Sequence, residues 1–285
     1  MELLWLPFSL ATIMMYGLGQ VFAKETRTNA SSANLLLILS VNIFVIWVPY
    51  FVIFRDPSTS FPTSTWLLAI ATAGLSGAAY VTFYESLKHG KVSIVGTVAG
   101  AYAPWTVILA LVFLGESMNL FEGIGVSLVV AAMLVFTYSS NGNGERRTEL
   151  LGIAFAVISL FFWGTSAALA KDVMTDIGNT NFIGVYGLVC PTIWVAYWLT
   201  TEKGKFEMPK SNRRILELSM LCFAFGGITY YLAIENGNVS IVSPITNLYP
   251  VLTIAVAKYR LRERLTLRQY VALAMLVASI LLFSF

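Results

Sequence analysis

Ten apolar blocks of about twenty residues each decide what this chain can fold into. They run over residues 3–23, 33–54, 66–87, 92–113 and 119–138, then 150–170, 181–199, 215–235, 239–258 and 266–285. At ~1.5 Å of rise per residue, a helix of that length crosses a hydrocarbon layer of ~30 Å. Lipid offers no partner to backbone N–H and C=O groups, so a spanning segment must satisfy them internally, as a helix does. The charge content agrees. Only 12% of the residues are charged and 57% are hydrophobic, where a soluble domain carries about 25% charged. A soluble core could not hide that much apolar surface. The first block has no basic residue before it and no clear small-residue cleavage site, so it reads as a permanent helix rather than a removable leader.

The sequence is also written twice. "GKVSIV" at residues 90–95 returns as "GNVSIV" at 237–242, an offset of 147. The same offset pairs Gly17 with Gly164, Lys24 with Lys171, Asn34 with Asn181 and Tyr84 with Tyr231. It also pairs Tyr102 with Tyr249, Thr106 with Thr253, Glu116 with Glu263 and Phe136 with Phe283. One offset without gaps implies a duplication. Residues 1–140 form the first five-helix repeat and residues 150–285 the second; "NGNGERRTE", residues 141–149, is the polar linker. Five is odd, so the second copy must enter the membrane the other way up. The expected fold is an all-α integral membrane protein of ten transmembrane helices in two inverted five-helix repeats. That architecture belongs to secondary transporters, whose solute site lies near the bilayer midplane between repeats.

Of the 18 Lys and Arg residues, all but Arg55 and Lys171 fall in the connections after odd-numbered blocks. The positive-inside rule puts those connections in the cytoplasm and both termini outside. Basic residues confined to loops give no case for nucleic acid. Cys190 and Cys222 fall inside blocks and read as small apolar packing residues.

The stretches "ESLKHGKVSIVGTVAGAYAPWTVILALVFLGESM" and "AIENGNVSIVSPITNLYPVLTIAVAKYRLRERL" resemble the two signature regions of the drug/metabolite transporter superfamily, in its EamA-like branch. "YGLGQVFAK" and "WGTSAALAK" resemble its first-helix motif. The likeness covers essentially the whole chain. Tyr102 is separated from Pro104 by Ala103, whereas Tyr249 and Pro250 are adjacent, a departure from the pattern. The resemblance implies ten helices in two inverted halves, cytoplasmic termini in conflict with the loop charges, and transport of amino acids, metabolites, nucleotide sugars, organic cations or drugs. It also implies that spans 1, 2, 6 and 7 rock around a cavity lined by spans 3, 4, 8 and 9.

Candidate residues follow from chemistry that lipid penalises. Tyr102 and Tyr249 lie well inside their blocks, beside Trp105, Pro104 and Pro250. Tyr80, Tyr84, Tyr230 and Tyr231 occupy spans 3 and 8, and Tyr16 and Trp163 mark the small-residue stretches of spans 1 and 6. Buried phenols need partners, and aromatic faces stack on rings or hold cations. Gln20, Asn42 and Asn247 are in-span amides, either substrate-binding groups or interhelical glue. Pro104, Pro244 and Pro250 remove backbone donors and are candidate gating bends. Lys24 and Lys171 close the first span of each copy, as snorkelling cations or gate residues. Glu85 is the most deeply placed acid, a candidate for ion coupling or a partner for Lys88.

The absences narrow the function. Span 1 has no acid at its middle, unlike the small multidrug transporters of the superfamily, and no cluster of mid-span Lys and Arg awaits a phosphate. HExxH and GxSxG are absent and His89 is the only histidine, so neither an enzyme nor a histidine-built metal site is indicated, and no cofactor is expected. The expected partners are a small solute, amino acids or related zwitterions first, and membrane lipid. "GTVAG", residues 96–100, favours tight packing within one chain over a homodimer.

Overall fold

A computed structural model describes residues 4–26, 31–55, 61–90, 95, 98–137, 146–206, 213–249, 252–253, 256 and 267–282. All regular structure among them is helical: α1 (Trp5–Thr26), α2 (Ser32–Phe54), α3 (Thr63–His89), α4 (Tyr102–Phe113), α5 (Leu120–Thr137), α6 (Arg146–Ile177), α7 (Asn179–Glu202), α8 (Arg213–Asn236), α9 (Val239–Thr246) and α10 (Leu267–Leu282). Six of these, α1, α2, α3, α6, α7 and α8, are long and apolar enough to cross a membrane. Side chains such as Val45, Ile53, Leu67 and Phe113 stand exposed on the outside, as a lipid-facing surface requires.

Local chemistry starts and stops the helices. The Ser31 side chain accepts from Asn34 N at the start of α2. At α5, Asn119 N donates to Glu122 Oε2 and Glu122 N donates to Asn119 Oδ1, a reciprocal capping pair. The fourth apolar block is interrupted at Ala101, and the ninth at Asn247–Leu248, where α9 ends after eight residues. Positions 101 and 248 are counterparts under the 147 offset, so the interruptions lie at matched depth. Pro104 sits in the first turn of α4, where its missing N–H leaves no gap, and Pro244 lies inside α9. Pro250 and the side chain of Lys24 lie outside the described residues.

Packing runs between the halves. The contacts of α1 with α8 and of α3 with α6 are among the most extensive, and α2 packs on α7, α4 on α9 and α5 on α10. Several of the polar contacts come in exchanged pairs. Trp47 Nε1 donates to the Ala224 carbonyl (2.9 Å) and Trp194 Nε1 to that of Gly77 (3.0 Å). Each residue of one bond is 147 positions from a residue of the other. Ser219 Oγ donates to Gly19 O (2.7 Å), and Ser166 Oγ to Thr72 O (2.9 Å). Thr106 Oγ1 donates to Gly164 O (3.2 Å), and Thr253 Oγ1 to Gly17 O (3.3 Å). Asn247 Nδ2 donates to Gly100 O at 2.8 Å, and these two positions are each other's counterpart. Inside a membrane each such bond contributes ~0.6–2 kcal/mol. Trp47→Phe and Trp194→Phe keep most of the ring packing and delete only the N–H. Each is expected to lower the melting temperature in detergent by a few degrees and by similar amounts, at ~2–4 °C per kcal/mol.

The two cysteines are free. Cys190 is buried and directs its Sγ to the Ala73 carbonyl at 3.1 Å; Cys222 is half-buried.

Candidate substrate cavity

Where the halves meet, the bundle leaves a cavity of about 160 Å³ near the middle of α1, α2 and α6. Its wall is aromatic. Tyr16 comes from α1, Trp47 from α2, Tyr80, Phe83 and Tyr84 from α3, Tyr102 from α4, Trp163 from α6, Tyr186 from α7, and Phe223, Tyr230 and Tyr231 from α8; Tyr249 follows the break after α9. No charged side chain is among the described residues that line it. Many rings meet edge to face, the arrangement their quadrupoles favour. Tyr16 meets Tyr249 at 5.6 Å, and the counterpart pair Trp163 and Tyr102 meets at 5.9 Å. Tyr80 lies between Trp163 (5.0 Å) and Trp194 (5.1 Å), and Trp47 packs on Tyr186 at 4.7 Å.

Six of the eight lining phenols divide into two sets by their hydroxyls. Tyr186 Oη pairs with Ser76 Oγ (2.9 Å) and Tyr230 Oη with Ser243 Oγ (3.0 Å), which fixes those rings. The hydroxyls of Tyr16, Tyr80, Tyr84 and Tyr102 make no hydrogen bond within the described residues, although all four side chains line the cavity. A phenol facing a cavity without a protein partner is a donor and acceptor open to a solute or to water.

Eight of the sequence-derived candidates therefore come together on one wall: Tyr16, Tyr80, Tyr84, Tyr102, Trp163, Tyr230, Tyr231 and Tyr249. Four others serve contacts between helices. Gln20 Oε1 accepts from Thr253 Oγ1 (3.2 Å), and Asn42 Nδ2 donates to Ile38 O (2.9 Å) and Glu217 Oε1 (3.1 Å). Trp105 Nε1 donates to Thr165 Oγ1 (3.1 Å), and Asn247 holds Gly100. Glu85 lies near the end of α3, away from the cavity. It receives Lys88 Nζ at 2.7 Å and the Tyr197 hydroxyl, with His89 Nε2 4.0 Å away. Lys171 binds three carbonyls at the end of α8. Among the described residues no group of three or more His, Cys, Asp or Glu side chains is placed to hold a metal ion.

Sequence reasoning does not reach Trp47, Ser76 or Tyr186. The repeat carries a signal for Trp47, whose counterpart is Trp194. Tyr186 has none, because its counterpart is Leu39, also on the cavity wall.

The sequence model of the EamA-like transporter family matches the chain twice, over residues 3–138 and 150–285. An uncharacterized transporter from Archaeoglobus fulgidus is 24% identical over 205 residues, spanning 71% of this chain and 69% of its own. An uncharacterized transporter from Sinorhizobium is 26% identical over 134 residues, spanning 46% of this chain and 94% of its own. The uncharacterized transporter YvbV of Bacillus subtilis is 22% identical, spanning 61% of this chain and 57% of its own. One solved crystal structure superposes with a TM-score of 0.81 at 13% identity, covering 97% of this chain and 95% of that one, a likeness of fold alone.

Proposed function

This chain belongs to the EamA-like transporter family, and from that premise we propose that it is a secondary transporter whose aromatic cavity carries a small organic solute by alternating access. The observation that carries the reading is the cavity itself: mid-depth, walled by both halves, with four phenol hydroxyls left open. The double family match and the exchanged hydrogen bonds support two five-span repeats related by a two-fold axis in the membrane plane. Loop charges support termini outside the cytoplasm.

Cavity size and chemistry support amino acids and related zwitterions as the cargo. A pocket for a drug-sized ligand measures ~300–1,000 Å³, and a void of ~150 Å³ accepts benzene. At about 160 Å³ this cavity suits a single-ring or amino-acid-sized solute better than a large drug. Phenol hydroxyls donate to a carboxylate, while ring faces hold an ammonium group by cation–π attraction, ~2 kcal/mol when desolvated.

Uptake by proteoliposomes tests the reading, with a panel of amino acids, choline-like cations and sugars screened first by ligand-induced thermal shift. Saturable movement of an amino acid supports it; failure of every solute to bind or move overturns it. Once a cargo is identified, Tyr16→Phe, Tyr80→Phe, Tyr84→Phe and Tyr102→Phe should each leave the ligand-free melting temperature nearly unchanged. At least two of them should raise the half-saturating concentration about fivefold, the worth of one net hydrogen bond of ~1 kcal/mol. Tyr230→Phe should instead lower the ligand-free melting temperature, because it breaks the bond to Ser243.

A further inference from the structure

The second copy of the repeated phrase lies in a turn gripped by charge from both sides. Lys171 Nζ, toward the end of α6, donates to the carbonyls of Ile234 (2.8 Å), Glu235 (3.1 Å) and Gly237 (3.0 Å). Glu116, in the connection between α4 and α5, accepts the N–H groups of Val239 and Ser240, one on each carboxylate oxygen, both at 2.9 Å. A cation therefore closes the carbonyl end of α8 and an anion the N–H end of α9, each matched to the helix dipole it meets. The local residue in the capping position, Asn238, makes no side-chain cap bond. The cap comes instead from the other half of the chain, 123 positions away.

We propose that Glu116 is a positioning residue for transport: with Lys171 it forms a releasable clamp on the α8–α9 turn that holds this end of the carrier shut. The inference rests on the transporter reading above. Three observations favour a clamp over a permanent cap. Ser240 Oγ is fully buried beside the Glu116 contact and has no hydrogen-bond partner, so the held arrangement leaves a buried polar group unsatisfied. The held segment is short: α9 runs eight residues from the clamp to the break at Asn247–Leu248, so it can move as one piece. That piece leads straight to Asn247, which holds Gly100, and to Tyr249 on the cavity wall. Glu116 itself is presented by a bend at Gly115, whose φ of +65° suits glycine, and by the capped start of α5. Releasing the turn thus frees Tyr249, one residue of the cavity wall, without unfolding either neighbouring helix.

Thiol labelling in reconstituted vesicles tests the clamp. The full chain, with Cys190→Ser and Cys222→Ser, receives either Ser240→Cys beside the clamp or Ser86→Cys, a buried site near Gly90, which packs on Gly152 at the opposite end of α6 from Lys171. A membrane-impermeant maleimide is applied from each face in turn. With Glu116 intact, Ser240→Cys should label slowly. Glu116→Ala should speed its labelling about tenfold from one face only, a shift in an opening equilibrium. Glu116→Gln, which keeps one acceptor oxygen, should fall between, and Lys171→Met should reproduce the direction. Labelling of Ser86→Cys should stay the same or slow, because in alternating access one end closes as the other opens. Equal acceleration at both sites means general loosening and overturns the clamp, as does no acceleration at Ser240→Cys. If Glu116→Ala does not fold, the Gln and Met variants decide on the same criteria. The readout needs no cargo, so a failed uptake screen sinks the transporter reading without altering what labelling says about the turn.

Discussion

Ala167→Trp is expected to abolish uptake while leaving the bundle folded. Ala167 is buried on α6 and its methyl group forms part of the cavity wall. Elsewhere in a close-packed interior an added indole would force neighbours apart at a cost of ~1–3 kcal/mol or more. Here about 160 Å³ lies in front of it, and a fused double ring would take up most of that space against the rings of Tyr80, Trp163 and Tyr186. Filling a cavity commonly holds or raises stability. The melting temperature without ligand should therefore stay within a few degrees of the parent, the ligand-induced shift should vanish, and initial uptake should fall by at least about 100-fold, the loss of ~2.7 kcal/mol or more of binding. Parent-like uptake by the folded variant would place the transport path somewhere other than this cavity.

Gly152→Leu should be the most damaging single change to the fold. A Cβ at residue 152 would lie 2.6 Å from Gly90 N, 2.7 Å from Gly90 Cα and 3.0 Å from the carbonyl carbon of His89. All three are backbone atoms, so no side chain can swing away and α6 must separate from the end of α3. Overpacking of this kind costs ~1–3 kcal/mol for a small addition and more for a branched one. A drop of about 5–10 °C is expected on thermal unfolding, with Gly152→Ala intermediate. Gly74→Ala on α3 is the control: nothing lies within 4 Å of its Cβ position, and alanine is the better helix former by ~0.5–1 kcal/mol. Equal behaviour of the two positions would refute the close approach at Gly90.

The helices were legible because lipid makes length and apolarity nearly sufficient. Block 215–235 became α8 (Arg213–Asn236), and block 33–54 became α2 (Ser32–Phe54). Block 150–170 fell short of α6, which continues through Lys171, Asp172 and Asp176 to Ile177. Polar residues there mark where an apolar block stops, and helix propensity carries the backbone further. The site was half legible for a related reason. Composition tells depth: Tyr102 and Asn247 both sit well inside a span. It does not tell azimuth, because a helix apolar on every side has no polar face to orient it. Tyr102 therefore faces the cavity, while Asn247, Asn42 and Trp105 turn to neighbouring helices. Glu116 was visible only as one half of a matched pair with Glu263; its task depends on α9 arriving from the other half.

The exchanged bonds bear on energetics. Trp47 serves Ala224 as Trp194 serves Gly77, and Thr106 serves Gly164 as Thr253 serves Gly17. If the halves trade conformations, each of these paired bonds lost on one side has its likeness gained on the other, which draws the two resting forms of such a machine closer in free energy. Mismatched positions, such as Leu39 against Tyr186 and Trp5 against Gly152, then bias one form over the other. On that footing the paired bonds wind no spring into the protein.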